Sequence, residues 1–167
     1  FSMWTSAELE ALKIYEVVVD NTNFKNQEYY INTNQTFAFA SGAVTATYGT
    51  ATAKAIADTL FTAQDETDGL GTEGEVATRG LKYNHKEIIN SQAAGVLTPT
   101  DWMVVRAAEG GTAVPSGTTT NRAAVRTKAN AMQVQIDGAA NVDALAALYE
   151  YNDATPPVRP LGELPTV

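Results

Sequence analysis

The hydrophobic residues change period along this chain, and that change limits the folds open to it. "QTFAFA" and "AVTATYG" set apolar residues at every second position, with Phe37 and Phe39 alternating in one segment and Val44, Ala46 and Tyr48 in the next. A period of two lines one face of a strand, and Ser41-Gly42 between the segments is a hairpin turn signal. In the second half the steps become four and three, through Val125, Ala129, Met132 and Ile136, which is one stripe of a helix. A chain that switches period in this way is expected to be α+β. The expected form is a small N-terminal antiparallel β unit followed by a C-terminal helical hairpin and an extended Pro-rich tail.

Local signals fill in that outline. Thr5 and Glu8 have capping-box spacing, with Leu9 and Leu12 as a short apolar edge, so a short helix opens the chain. "IYEVVV" is β-branched and ends at the turn-rich "DNTN", and Tyr29, Tyr30 and Ile31 suggest a further strand. "ATAKAIADTLF" fits either a strand end or a short helix. Leu81, His85, Ile88 and Ile89 share one face of a helix that ends near Gly95. In "TPTDWMVV", Asp101 is placed to cap a short helix, Pro99 lies just outside it, and Trp102 is expected as a large buried anchor. "GGTAVPSGTTT" reads as a break before the long helix of "NRAAVRTKANAMQVQIDGAA". Asn141 caps "VDALAALYE", where Val142, Leu145, Leu148 and Tyr149 form an apolar face. The four prolines of "YNDATPPVRPLGELPTV" prevent helix, so the end of the chain is expected to be extended. The expected organisation is therefore a β-rich unit at 1–62, an acidic Gly-rich linker at 63–76, a helical unit at 77–150 and a tail at 151–167.

Composition removes several function classes. A formal charge of -8 and a pI near 4.5 oppose binding to nucleic acid or anionic lipid, both of which need clustered Lys and Arg. The absence of cysteine removes disulfides, thiolate zinc sites and a cysteine nucleophile, and a single histidine, His85, removes His-rich metal clusters. No apolar run approaches the roughly 18 to 20 residues that span a bilayer. Gly69, Gly71 and Gly74 have G-x-G-x-x-G spacing, but a dinucleotide site needs a hydrophobic strand before the first glycine, and Asp65, Glu66 and Asp68 stand there instead. Gln64, Glu66, Asp68 and Glu75 fall at the ligand positions of a calcium loop. The first ligand should be Asp and the flanking helix pair is unconvincing, so a solvated loop is the expectation. His85 has no second His, Cys or paired acid at helical spacing, and it reads as a packing or capping residue. With no nucleophile–base set and no cofactor motif, no catalytic, cofactor or metal residue is assigned.

Two stretches carry a family resemblance. "LEALKIYEVVVDNTNFKNQEYY" resembles the opening of bacteriophage tail-fibre and tail-assembly-associated proteins. "LTPTDWMVVRAAEGGTAVPSGTTTNRAAVRTKANAMQ" resembles their C-terminal signature, which Asp101, Trp102, Arg106, Pro115, Arg122 and Arg126 match in order. Asn121 departs from it, standing where the family has an aromatic. The Thr/Asn-rich style and the "VDALAALY" ending are similar to virion proteins of marine phages, including cyanophages. The resemblance implies a non-enzymatic virion component on a tail or tail fibre, with no cofactor. Its expected partners are other virion proteins in a homo-oligomeric or multi-copy assembly, without nucleic acid or membrane. It also implies that Trp102, Arg106, Arg122 and Arg126 are scaffold or contact residues. The alternatives are a tail-fibre assembly chaperone, a capsid decoration protein, or a host-glycan-binding module using Tyr29, Tyr30, Phe37, Phe39 and Tyr48, although core packing is the expected role of most of these aromatics.

Overall fold

The computed structural model describes residues 3–166, an α+β chain in two units that divide between Lys54 and Ala55. The division falls ahead of the segment 63–76, which is not a bare linker. It carries a five-residue helix and the start of a strand within the second unit.

The first unit begins with α1 (Ser6–Ala11), set by the reciprocal cap that the sequence suggests. Thr5 Oγ1 accepts from Glu8 N–H at 3.3 Å, and Glu8 Oε2 accepts from Thr5 N–H at 2.7 Å. The strands are β1 (Val17–Asp20), β2 (Tyr30–Ile31), β3 (Gln35–Ala40), β4 (Ala43–Tyr48) and β5 (Thr52–Ala53). β3 and β4 form the expected hairpin, turning on Ser41 and Gly42 with φ of 52° and 81°. Two consecutive left-handed residues give the turn twist that suits a two-residue hairpin. β1 adds to the far side of β4 in parallel, giving the order β1-β4-β3, while β2 and β5 pair antiparallel as a separate ribbon. The sheet is thus mixed rather than wholly antiparallel. A parallel pair needs a long crossover, and the 21–34 segment followed by β3 supplies one.

The second unit opens with β6 (Thr59–Leu60), α2 (Ala63–Thr67) and β7 (Val76–Thr78), with β6 and β7 antiparallel. α3 (Leu81–Leu97), a 3-10 turn at Thr98–Thr100, α4 (Asp101–Ala108), α5 (Ser116–Gly138) and α6 (Val142–Ala147) follow. α3 passes smoothly through Gly95 to Leu97, and α5 starts at Ser116, so part of the expected Gly/Pro/Thr break is already helix. Pro115, fixed near helical φ, launches that first turn, and its carbonyl accepts from Thr119 N–H at 3.0 Å. At the head of α3, Leu81 and Lys82 N–H bond to the carbonyls of Ala55 and Ile56, both at 3.0 Å. Gly80 is required there because a Cβ would strike the backbone of Ala57.

α3 and α5 run antiparallel. Lys82 bonds to the Asp137 carbonyl at one end, Gln133 to Asn90 midway, and Arg122 to the Leu97 carbonyl at the other. Leu81, His85, Ile89 and Ala93 of α3 and Val125, Ala129, Met132 and Ile136 of α5 supply the core, closed by Val142 and Leu145 of α6. Asn141 caps α6 as expected, its Oδ1 accepting from Ala144 N–H at 2.9 Å. The proline-rich tail is extended and tied to its own unit. Leu161 is fully buried, its N–H bonds to the Leu148 carbonyl at 3.0 Å, and its carbonyl accepts from Lys128 Nζ at 2.8 Å.

Candidate docking surface

The residues singled out by the sequence lie near the α3–α5 junction, and they do different jobs. Arg122, with 11% of its side chain exposed, donates to the Leu97 carbonyl at 2.8 Å, Thr100 Oγ1 at 2.6 Å and Asp101 Oδ1 at 2.7 Å. One guanidinium thereby satisfies the C-terminal end of α3 and fastens the start of α4 to α5, as its rigid fork allows. Asp101 is the first residue of α4 and this ion-pair partner; it makes no side-chain cap. Arg106 stacks on Trp102 with its guanidinium carbon 4.8 Å from the ring centroid, and its Nε is enclosed with no partner among the described residues. Trp102 itself is 55% exposed, not a buried anchor. α4 is only two turns long and turns Met103, Arg106 and Ala107 inward, which leaves Trp102 and Val105 on the outer side. Arg126 is exposed and makes no hydrogen bond or ion pair among the described residues.

The acidic segment uses Asp65, Glu66 and Asp68 on its own backbone and side chains. Asp65 forms a capping box with Thr62, Gln64 bonds to Asp68 at 2.8 Å, and Glu66 accepts from Glu73 N–H at 3.2 Å. The Thr62 hydroxyl and then its N–H hold the Asp65 carboxyl below its ordinary range. Gly69, Gly71 and Gly74 follow α2 and precede β7, the reverse of the strand-then-helix order that a dinucleotide needs. Among the described residues no group of three or more His, Asp and Glu side chains is arranged to hold a metal ion, and no helix is long and apolar enough to cross a membrane. His85 is 3% exposed, with Nδ1 2.9 Å from the Tyr149 hydroxyl and its ring packed at 4.9 Å, which is the geometry of a core histidine.

An exposed apolar row lies in the first unit, and it includes Phe37 and Phe39, for which core packing is the sequence expectation. The strand registers align two rows on one face: Phe39–Val44–Val17 and Phe37–Ala46–Val19. Phe37 is 65% exposed, Phe39 58%, Val19 49% and Val17 48%. Four large apolar side chains, each about half exposed and neighbours on one face, form the kind of exposed apolar group that is often functional. Tyr29 and Ala46 are the buried hydrophobic residues of the unit among those described, so core packing holds for Tyr29 and not for Phe37 or Phe39. Alternation in sequence was the available signal. It marked the face but not that its cover is partial, with Tyr15 packed on Phe39 at 4.5 Å and Phe37 left largely in water.

A cleft of about 470 Å³ lies between α1 and the hairpin, with apolar walls from Leu9, Ile14, Tyr15 and Val18 and two carboxylates, Glu10 and Glu16. The chain's single histidine is in the other unit, so the cleft contains no hydroxyl–imidazole pair. Its walls are apolar and its charged groups are carboxylates, a lining suited to holding an apolar or cationic group. No protein-family model, curated protein or solved structure matches the chain.

Proposed function

We propose that this chain is a non-enzymatic structural protein of a bacteriophage virion, a tail or tail-fibre component that works by docking onto other virion proteins. The observation that carries the reading is the open apolar face of Val17, Val19, Phe37 and Phe39 on a unit that buries almost none of its own hydrophobic residues. A soluble protein keeps such a face for a partner, because burying it elsewhere gains the hydrophobic free energy that the lone unit forgoes. The phage assignment is supported by the resemblance of the segments around Tyr15 and Asp101–Arg126. In this reading Arg122 is scaffold, while Trp102 and Val105, exposed on α4, form a second and smaller contact surface.

Quantitative peptide mass spectrometry on gradient-purified particles tests the proposal. A few to a dozen copies per particle is the expected result. Hundreds of copies would move the protein to the capsid, and absence from mature particles would sink the virion reading in favour of an assembly chaperone.

A further inference from the structure

We propose that β3 is the pairing edge of a two-fold dimer of this chain, antiparallel to its copy and centred on Ala38, so that two three-stranded sheets join into one of six. The proposal names a partner for the unit on which the docking reading rests.

The hydrogen-bond parity of the hairpin shows which groups face outward. A two-residue turn makes Ala40 and Ala43 a mutually bonded pair, and alternation then makes Ala38–Thr45 and Thr36–Thr47 bonded pairs as well. The residues between them turn their backbone groups the other way. Val44, opposite Phe39, obeys this rule: its N–H leaves β3 and bonds to the Glu16 carbonyl at 3.2 Å. The N–H and C=O of Gln35, Phe37 and Phe39 therefore point away from β4, along an edge on which no described residue pairs.

The two edges of the sheet differ in protection. Natural edges are guarded by charge, proline, glycine or a bulge. β3 has none of these across six residues, "QTFAFA", paired without irregularity to β4. β1 is four residues long and bounded by Glu16 and Asp20, so a copy approaching it brings like charges together. A net charge of -8 makes identical chains repel, and the uncharged β3 edge is where two copies meet without opposed carboxylates.

Centring the two-fold on Ala38 sets Phe37 opposite the partner's Phe39 and Phe39 opposite the partner's Phe37, two aromatic pairs on one face. The same step roughly doubles the apolar face. Because the pairing is isologous it closes at two chains rather than growing a filament.

The full chain in an ultracentrifuge concentration series is the test. A concentration-dependent dimer is expected, and Ala38→Lys and Ala38→Glu should each weaken it at least tenfold by placing like charges across the dyad. Mixing the two variants should restore a heterodimer, while Val18→Lys on the other edge should leave dimerisation unchanged. Amide exchange of the unmodified chain gives a reading that needs no variant. The Phe37 and Phe39 N–H groups should gain at least tenfold protection at high concentration, whereas the Ala38 N–H, bonded within the hairpin, should be protected at every concentration. A monomer throughout, a trimer or larger species, a dimer indifferent to Ala38→Lys, or unprotected Phe37 and Phe39 amides would overturn the proposal. A monomeric chain that is still found in particles overturns the pairing alone. A dimer absent from particles overturns the virion reading alone.

Discussion

Val125, Met132 and Ile136 of α5 are fully enclosed, while Val17, Val19, Phe37 and Phe39, placed by an equally regular pattern, stay about half exposed. The difference lies in what stands opposite. α5 faces α3 and is closed off by α6 and Leu161, whereas on the apolar face of the β1-β4-β3 sheet the described residues give partial cover, Tyr15 packing on Phe39 with ring centroids 4.5 Å apart and Ala46 enclosed between its neighbours. A sheet is stable when its apolar face is covered. The C-terminal unit meets that condition internally, and under the proposed docking the N-terminal unit meets it through its partner.

The largest loss is expected from cutting into the helical core. Ile136→Ala should lower the unfolding free energy by about 2–5 kcal/mol, read by urea denaturation, because a fully buried side chain leaves a cavity. Phe37→Ala in dilute protein should stay within about 1 kcal/mol, and equal losses at the two positions would erase the contrast. A smaller effect comes from one strut of the C-terminal unit. Arg122→Ala should cost about 1–2 kcal/mol by removing the fork that ties the Leu97 carbonyl, the Thr100 hydroxyl and Asp101 to α5, and Arg122→Lys should not restore it. Arg126→Ala, one turn further along the same helix but exposed, should change stability by less than about 0.5 kcal/mol. The smallest effect is acid sensitivity. The Gly80 N–H, then the Arg79 guanidinium, hold the Asp58 carboxyl below its ordinary range. A carboxyl depressed by folding contributes fully above its unfolded value, about 4, and loses that contribution as pH falls through the lower folded value. The thermal midpoint should therefore be insensitive to this group from pH 7 to 5 and fall below about pH 4, with a shallower fall in Asp58→Asn. A variant whose acid slope matched the parent would remove Asp58 from the account.

Much of the fold was legible where a signal is local. Thr5 with Glu8, the Ser41-Gly42 hairpin, Asn141 and the Val125–Ile136 stripe each act within a few residues, and each stands in the structure as read. Thr62 and Asp65 form a second capping box whose spacing was present but lay inside a run dominated by glycine and acid. The parallel placement of β1 and the two-residue strands β2, β5 and β6 depend on distant partners, which leave no period in so short a segment. Trp102 shows the same limit at the candidate site. Its size and its place after Asp101 suggested an anchor, but the facing of a two-turn helix is decided by the element it rests on. Phe37 and Phe39 were legible as one face, and their exposure was not, because nothing in an alternating pattern records whether another layer covers it.

Leu161 gives the assembly of this protein an order in time. Its side chain is enclosed in the C-terminal unit, and its backbone is tied to Leu148 and Lys128, so that unit cannot close until Leu161 has been synthesised. The N-terminal sheet needs nothing beyond Lys54 and is complete much earlier. At about 5–20 residues per second, the ribosome takes on the order of ten seconds to cover the stretch between them. During that interval the nascent chain displays its open edge with its helical half unfinished, and neighbouring ribosomes on one message bring identical edges close together. Under the proposed edge pairing, two copies would meet while still being translated.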